Sequence, residues 1–217
     1  MQITLRNAET NTRTSLVLPD ERRALFNFLS FVDGAAIDAI EIADMPDDKL
    51  PRNIQRLSRL KALTLVRCHA LTGLPAELAK CPLKELAFIK CADFHDLTGI
   101  RKCPGLEVLH ISGCDAFSSL PEELADLTML RALDLSYSES IQWIDLSILP
   151  KSLKILDMHG CWQADFDADA LAGLHIASLQ IQDTVHLPEL LDAPAMPELE
   201  IQLRHILTTR DGCGLDA

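Results

Sequence analysis

The stretch Leu106-Glu107-Val108-Leu109-His110-Ile111-Ser112-Gly113-Cys114 sets apolar residues at offsets zero, three and five and a cysteine at offset eight. The same frame returns as Ile37/Ile40/Ile42, Leu60/Leu63/Leu65/Cys68, Leu83/Leu86/Phe88/Cys91, Leu130/Leu133/Leu135/Ser138, Leu153/Leu156/Met158/Cys161 and Ile176/Leu179/Ile181/Thr184. A weaker copy is Met196/Leu199/Ile201. The starts at 37, 60, 83, 106, 130, 153 and 176 are 23, 23, 23, 24, 23 and 23 residues apart, and the last step, to 196, is 20. Self-similarity at a fixed period of this length marks a solenoid in which each unit buries its apolar face against its neighbours.

Within each unit the alternation Leu-x-Leu predicts a short strand, and strands one coil apart must pair in parallel. Most all-parallel sheets are covered on both faces. Here Leu-Thr-Leu, Leu-His-Ile, Leu-Asp-Leu and Leu-Asp-Met leave one face wet. The expected fold is an α/β solenoid: a parallel sheet lines the concave side, and short helices or turns return on the convex side. At roughly 4.8 Å per strand, eight strands give a trough about 34 Å long. The chain divides into an N-terminal hairpin-plus-helix cap at 1–36, repeats at 37–203 and a tail at 204–217.

The cap is expected because a first coil left bare would expose core and strand edge to water. Gln2 to Arg6 and Ser15 to Leu18 read as a hairpin. Pro19-Asp20-Glu21 offers a helix start with acidic residues in its first turn, and Ala24, Leu25, Phe28 and Leu29 share a face until Asp33-Gly34. Helical returns are expected from Pro51, Pro75, Pro121 and Asp167, the prolines at the first helical position. The run Ile141 to Leu146 reads as a tighter turn closed by Pro150.

The 217 residues carry a formal charge of -12, with 48% hydrophobic and only 5% aromatic content. An aliphatic core suits stacked coils, and the charge argues against a nucleic-acid partner, which needs Lys and Arg to displace counterions. Met1 to Ser15 shows no apolar run behind a basic segment, and no stretch approaches the roughly 20 apolar residues of a membrane span. A monomeric cytoplasmic protein is expected. Of the seven cysteines, Cys68, Cys91, Cys114 and Cys161 stand at the ninth repeat position. Neighbours there are close enough for disulfides, so reading them as buried thiols rests on the reducing compartment. Cys81 and Cys103 are expected to stack similarly, and Cys213 to be the thiol that reacts first.

The wet face reads Glu41, Thr64, Ala87, His110, Asp134, Asp157, Gln180 and Glu200 along its centre. Ala43, Val66, Ile89, Ser112, Ser136, His159, Gln182 and Gln202 follow two positions on. Its first half is apolar, with Val66 and Ile89, flanked by Arg67 and Lys90. Its second half is polar, with His110, Asp134, Tyr137, Asp157, His159, Gln180 and Gln182. Asp134 and Asp157 should be lateral neighbours, a destabilising arrangement of like charges. Either they await a partner's Lys or Arg, or water solvates them. His110, Asp134, Asp157 and His159 are ligand types for Zn²⁺, but a flat open sheet offers no supporting shell, so no metal or other cofactor is expected. No Gly-rich phosphate loop, Gly-x-Ser-x-Gly or His-Glu-x-x-His occurs, and no catalytic residue is assigned. Trp162 is expected to cover the edge of the cysteine ladder, the alternative being an exposed contact.

With Leu-x-x-Leu-x-Leu-x-x-Cys strands and Leu-Pro-x-x-Leu returns at 74–78 and 120–124, the chain resembles bacterial leucine-rich-repeat proteins. It is similar to the repeat domains of type III secretion effectors. That resemblance implies a leucine-rich-repeat horseshoe, a non-enzymatic role in protein binding, and export without a cleavable signal peptide. The partner expected on the concave face is a basic or amphipathic protein segment. The alternative is a substrate-recognition domain of a ubiquitin ligase or other enzyme whose catalytic part lies outside this chain. Cys91-Ala92-Asp93 matches the Cys-x-Asp motif of one bacterial ligase family with such repeats, yet Cys91 occupies the ladder position and is expected to be buried and inert.

Overall fold

A computed structural model describes residues 1–21, 23–171 and 173–181. Gln182, the last expected strand, the tail and Cys213 lie outside the described residues. The hairpin forms from β1 (Gln2–Asn7) and β2 (Arg13–Val17), antiparallel with Gln2 opposite Val17. β1 also pairs antiparallel with β3 (Ile37–Ala43), the first repeat strand, with Ile3 opposite Ile42 and Leu5 opposite Ile40. The cap thus extends the sheet: Ile3 and Leu5 join the core, and the first repeat strand gains a hydrogen-bonded neighbour where it would otherwise be an edge.

Beyond β3 the repeat strands are β4 (Ala62–Val66), β5 (Glu85–Ile89), β6 (Val108–Ser112), β7 (Ala132–Asp134), β9 (Ile155–Asp157) and β11 (Ser178–Gln180). All pair in parallel, and the nine-stranded sheet runs β11-β9-β7-β6-β5-β4-β3-β1-β2. The register follows the repeat frame without a slip: Ile40, Leu63, Leu86, Leu109, Leu133, Leu156 and Leu179 stand side by side, all buried. One residue of slip would turn each of these columns to water. Phe88 replaces an aliphatic residue in its column and stacks on Phe94 at 3.8 Å between ring centroids. Phe94 in turn stacks on Phe117, one coil on, at 6.1 Å.

The returns are the short helices or turns expected, but most differ in type. They are 3-10 turns, at Arg52–Arg56, Ala76–Lys80, Ile100–Lys102, Glu122–Asp126 and Leu146–Ile148. Pro51, Pro75 and Pro121 stand one residue outside them as extended N-caps. A 3-10 turn rises about 2.0 Å per residue against about 1.5 Å in an α-helix, so it spans the back of a short coil with fewer residues. Ile54, Leu78, Ile100, Leu124 and Leu146 drop from these turns into the core. Only α2 (Ala168–Leu171) is α-helical among the described returns. The cap helix α1 spans Ala24–Phe31, starting after Arg23 in a left-handed conformation and without acidic residues in its first turn. The Pro19-Asp20-Glu21 start is passed over; the helix begins where Leu25 and Leu29, one turn apart, both reach the core. Phe31, at its end, is 90% exposed.

Two features had no sequence forecast. β8 (Trp143–Ile144) and β10 (Asp165–Phe166) form a second, two-stranded parallel sheet where a plain turn was expected. Each inner strand also ends in a left-handed residue: Asp44, Arg67, Lys90, Gly113, Tyr137 and Gly160 have φ between 49° and 77°. Five of their amides donate onward, Asp44 to Val66 O, Arg67 to Ile89 O, Lys90 to Ser112 O, Gly113 to Ser136 O and Tyr137 to His159 O. The twist keeps the ladder paired while the chain leaves the sheet.

The next residue is the cysteine column. Cys68, Cys91, Cys114 and Cys161 are free and buried, their thiols donating to the carbonyls of Ile42, Leu65, Phe88 and Leu135. Ser138 takes the same place, its hydroxyl 2.9 Å from Ile111 O. Cys81 and Cys103 are buried near the strand starts, where burial pushes the Cys81 thiol up to about 11.

Candidate functional site

Parallel pairing fixes the wet face in three rows. The central one runs Glu41, Thr64, Ala87, His110, Asp134, Asp157, Gln180, each opposite the next. Its neighbour carries Ala43, Val66, Ile89 and Ser112. Val66, Ile89, His110, Asp134, Asp157 and His159 are half-buried, while Tyr137 and Gln180 are exposed. Ala87 and Ala43 are buried, and Ser136 nearly so: small side chains between larger neighbours lie below the surface a partner touches.

The carboxylates are neither free nor simply solvated. Asp134 Oδ1 accepts from the Ser136 amide at 2.8 Å, and its Oδ2 lies 3.1 Å from His110 Nδ1, which donates to it. Asp157 Oδ1 accepts from the His159 amide at 2.8 Å. A side chain that bonds the amide two residues on offers the backbone an alternative to the ladder. The contact with Asp134 raises the His110 pKa against the opposing effect of burial, and Glu85 and Asp157 add to it. Burial works to raise Asp134, but hydrogen bonds from His110 and Ser136 outweigh it, and its pKa is lowered. The lateral pair of aspartates is thus partly neutralised from within the sheet.

The expected basic flank is likewise partly spent. Arg67 donates to both oxygens of Asp44 at 2.8 and 2.9 Å, so it is held along the strand ends. Tyr137 lies edge-on to His159, ring centroids 5.2 Å apart. Trp162 is 58% exposed, which overturns its expected role as ladder cover: it turns outward directly after the buried Cys161. Cys91 is fully buried as expected, and among the described residues no three His, Cys, Asp or Glu side chains converge as a metal site would need.

Sequence reasoning missed a depression of about 170 Å³ at the cap end of this face, lined by Ala39 and Ala62 together with Arg6, Arg13, Glu41 and Glu85. Arg6 is held by Asp38 at 2.8 Å. The signal was absent because the repeat frame begins at Ile37 and does not place β1 and β2 in the sheet.

No family model matches the chain. The mouse RP105/MD-1 complex contains a chain of similar structure, with a TM-score of 0.51 and 18% identity over 67% of this chain and 26% of that one. The fold is a leucine-rich-repeat solenoid. The solved leucine-rich repeat domain of the type III effector XopL has a TM-score of 0.48 and 19% identity, covering 82% of this chain and 81% of that domain's chain. Among curated proteins, disease resistance protein RPS4 of Arabidopsis thaliana is 27% identical over 150 residues, 60% of this chain. This leucine-rich-repeat chain spans only 11% of the length of that relative. Among the described residues no helix is long and apolar enough to cross a membrane.

Proposed function

We propose that this chain is a non-enzymatic protein-binding module whose concave face takes a basic, amphipathic segment of a partner. The observation that carries the reading is the unbroken register of the wet rows, which preforms a rigid surface and spares the ordering cost of binding. Val66 and Ile89 supply the apolar half, and Asp134, Asp157, Tyr137, His159 and Gln180 the polar half. Asp157 engages one oxygen and Asp134 shares its two with Ser136 and His110, so a Lys or Arg from outside would meet Asp157 first and Asp134 beside it, and such pairs set specificity and on-rate more than bulk affinity. Action inside a host cell after export from a bacterium is the setting in which we place it.

Asparagine tests this, since Asn Oδ1 preserves the bond to the Ser136 or His159 amide; at position 134 it also gives up the oxygen that accepts from His110, so Asp157→Asn alone reports the loss of charge with the least other change. Asp134→Asn with Asp157→Asn should weaken capture of a partner identified by mass spectrometry at least tenfold in titration calorimetry. Unchanged affinity in a folded double variant would remove the concave face from the proposal.

A further inference from the structure

One long edge of the solenoid gathers exposed basic residues over two adjacent coils. Where strands begin, the third and fourth coils expose Lys80, Lys84, Arg101 and Lys102; where strands end, the turns expose Asp93, Asp96, Asp115 and Glu139. Four basic side chains thus gather at the start of two adjacent strands in a chain whose net charge is -12, with Glu85 and Glu107 standing beside them and Lys90 exposed at the opposite end. The basic edge is also shaped. Pro82 and Pro104 hold the chain as it turns from each return into the next strand, and between them lies a groove of about 490 Å³. Its floor is apolar, from Pro82, Leu83, Pro104 and the buried Cys81 and Cys103, and its rim carries Lys80, Lys84 and Lys102, with no carboxylate in its lining. Lys84 pairs with Glu107 at 2.6 Å and Lys80 donates to Gln55 at 2.6 Å, which holds two ammonium groups in place. Lys102 makes no ion pair among the described residues.

We propose that this groove is a second docking site, separate from the concave face, for an acidic segment of another protein that also carries an apolar side chain. The apolar group would seat on Pro82, Pro104 and Leu83. The carboxylates would meet the lysines, forming charge-assisted hydrogen bonds. Clefts lined by one sign concentrate the opposite one, so a local positive groove on an acidic molecule selects its partner by sign and place. The site stands on the groove and its charge, independently of the concave-face reading.

The probe is a fluorescein-labelled peptide of glutamates flanking one leucine and one phenylalanine, followed by anisotropy in low salt, with polyglutamate of equal charge for comparison. The wild-type chain should bind the mixed peptide at least tenfold more tightly than polyglutamate. Lys80→Glu with Lys102→Glu should abolish binding. A control with the same change in net charge, Lys49→Glu with Lys90→Glu, should reduce it less than threefold. Gly105→Leu fills the groove from an exposed position whose added Cβ meets only Leu83 O at 3.4 Å, and should cost tenfold without a charge change. Equal binding of polyglutamate, equal loss in both charge-reversed variants, or full binding by Gly105→Leu would each overturn the proposal. So would self-association of the wild type by light scattering that excludes the peptide, since the groove would then serve a second copy.

Discussion

The inner strands nearest the cap and those farther along share one stacking period yet differ in length. β4, β5 and β6 have five residues each; β7, β9 and β11 have three. The change falls where the central row turns from Thr64, Ala87 and His110 to Asp134 and Asp157. Each aspartate takes the amide two residues on, drawing the backbone out of the extended ladder. A solenoid can therefore change its surface chemistry coil by coil without losing register, because the core columns on the other face continue unbroken. The left-handed column divides at nearly the same place: Asp44, Arg67 and Lys90 precede Gly113, Tyr137 and Gly160.

The largest effect expected from this division is at Gly160. Its φ is +77°, and an added Cβ would lie 2.6 Å from a Tyr137 ring carbon close to the backbone. Gly113, with φ +63°, would place its Cβ 3.3 Å from the flexible Lys90 side chain. Gly160→Ala should therefore cost about 2–3 kcal/mol and Gly113→Ala about 1, since the left-handed conformation alone costs roughly 1–2 kcal/mol for residues with a Cβ. Urea unfolding measures both. Equal losses would mean that Tyr137 yields, and that the farther coils are as plastic as the nearer ones.

A smaller effect, with a sign set by pH, comes from the boundary itself. His110 has a raised folded pKa, so its contribution is fully present below its unfolded value near 6.5 and fades as pH climbs through the folded value. Asp134 has a lowered one, so its contribution is present above about 3.9 and is lost as pH falls through the folded value. The pair therefore stabilises most between about pH 4 and 6.5. His110 is about one-third exposed, 35%, so the gain is no more than about 1 kcal/mol after solvent screening. His110→Gln should lose more stability at pH 5.5 than at pH 8. Proton NMR should show the His110 titration moving down in Asp134→Asn. A loss equal at both pH values would make His110 a packing residue and move the boundary to the aspartates alone.

The core columns, the ladder cysteines and the lateral order of the wet rows were legible in the sequence because each follows from a period: two along a strand, 23 between coils. What escaped were choices that periodicity does not make. Whether a proline-led return is α or 3-10 depends on how far it must reach. Whether Asp134 bonds a partner, water or its own backbone depends on a turn two residues on. Trp162 escaped because it was credited with the burial that large aromatic side chains usually have. The cap depression escaped because Arg6 and Arg13 belong to no repeat.

The finest test concerns the near half of the left-handed column. Lys90 has φ +55° and an exposed side chain, so glycine would relieve roughly 1–2 kcal/mol of backbone strain while adding about 0.5–1 kcal/mol of entropy cost on folding. A net stabilisation of about 0.5 kcal/mol is expected for Lys90→Gly. Asp44, with φ +57°, has the same backbone but anchors Arg67, so Asp44→Gly should gain less or lose. Paired urea curves resolve the difference if their slopes agree. A destabilised Lys90→Gly would show that the near coils depend on that side chain, and that what separates the two halves at these turns is packing rather than backbone strain.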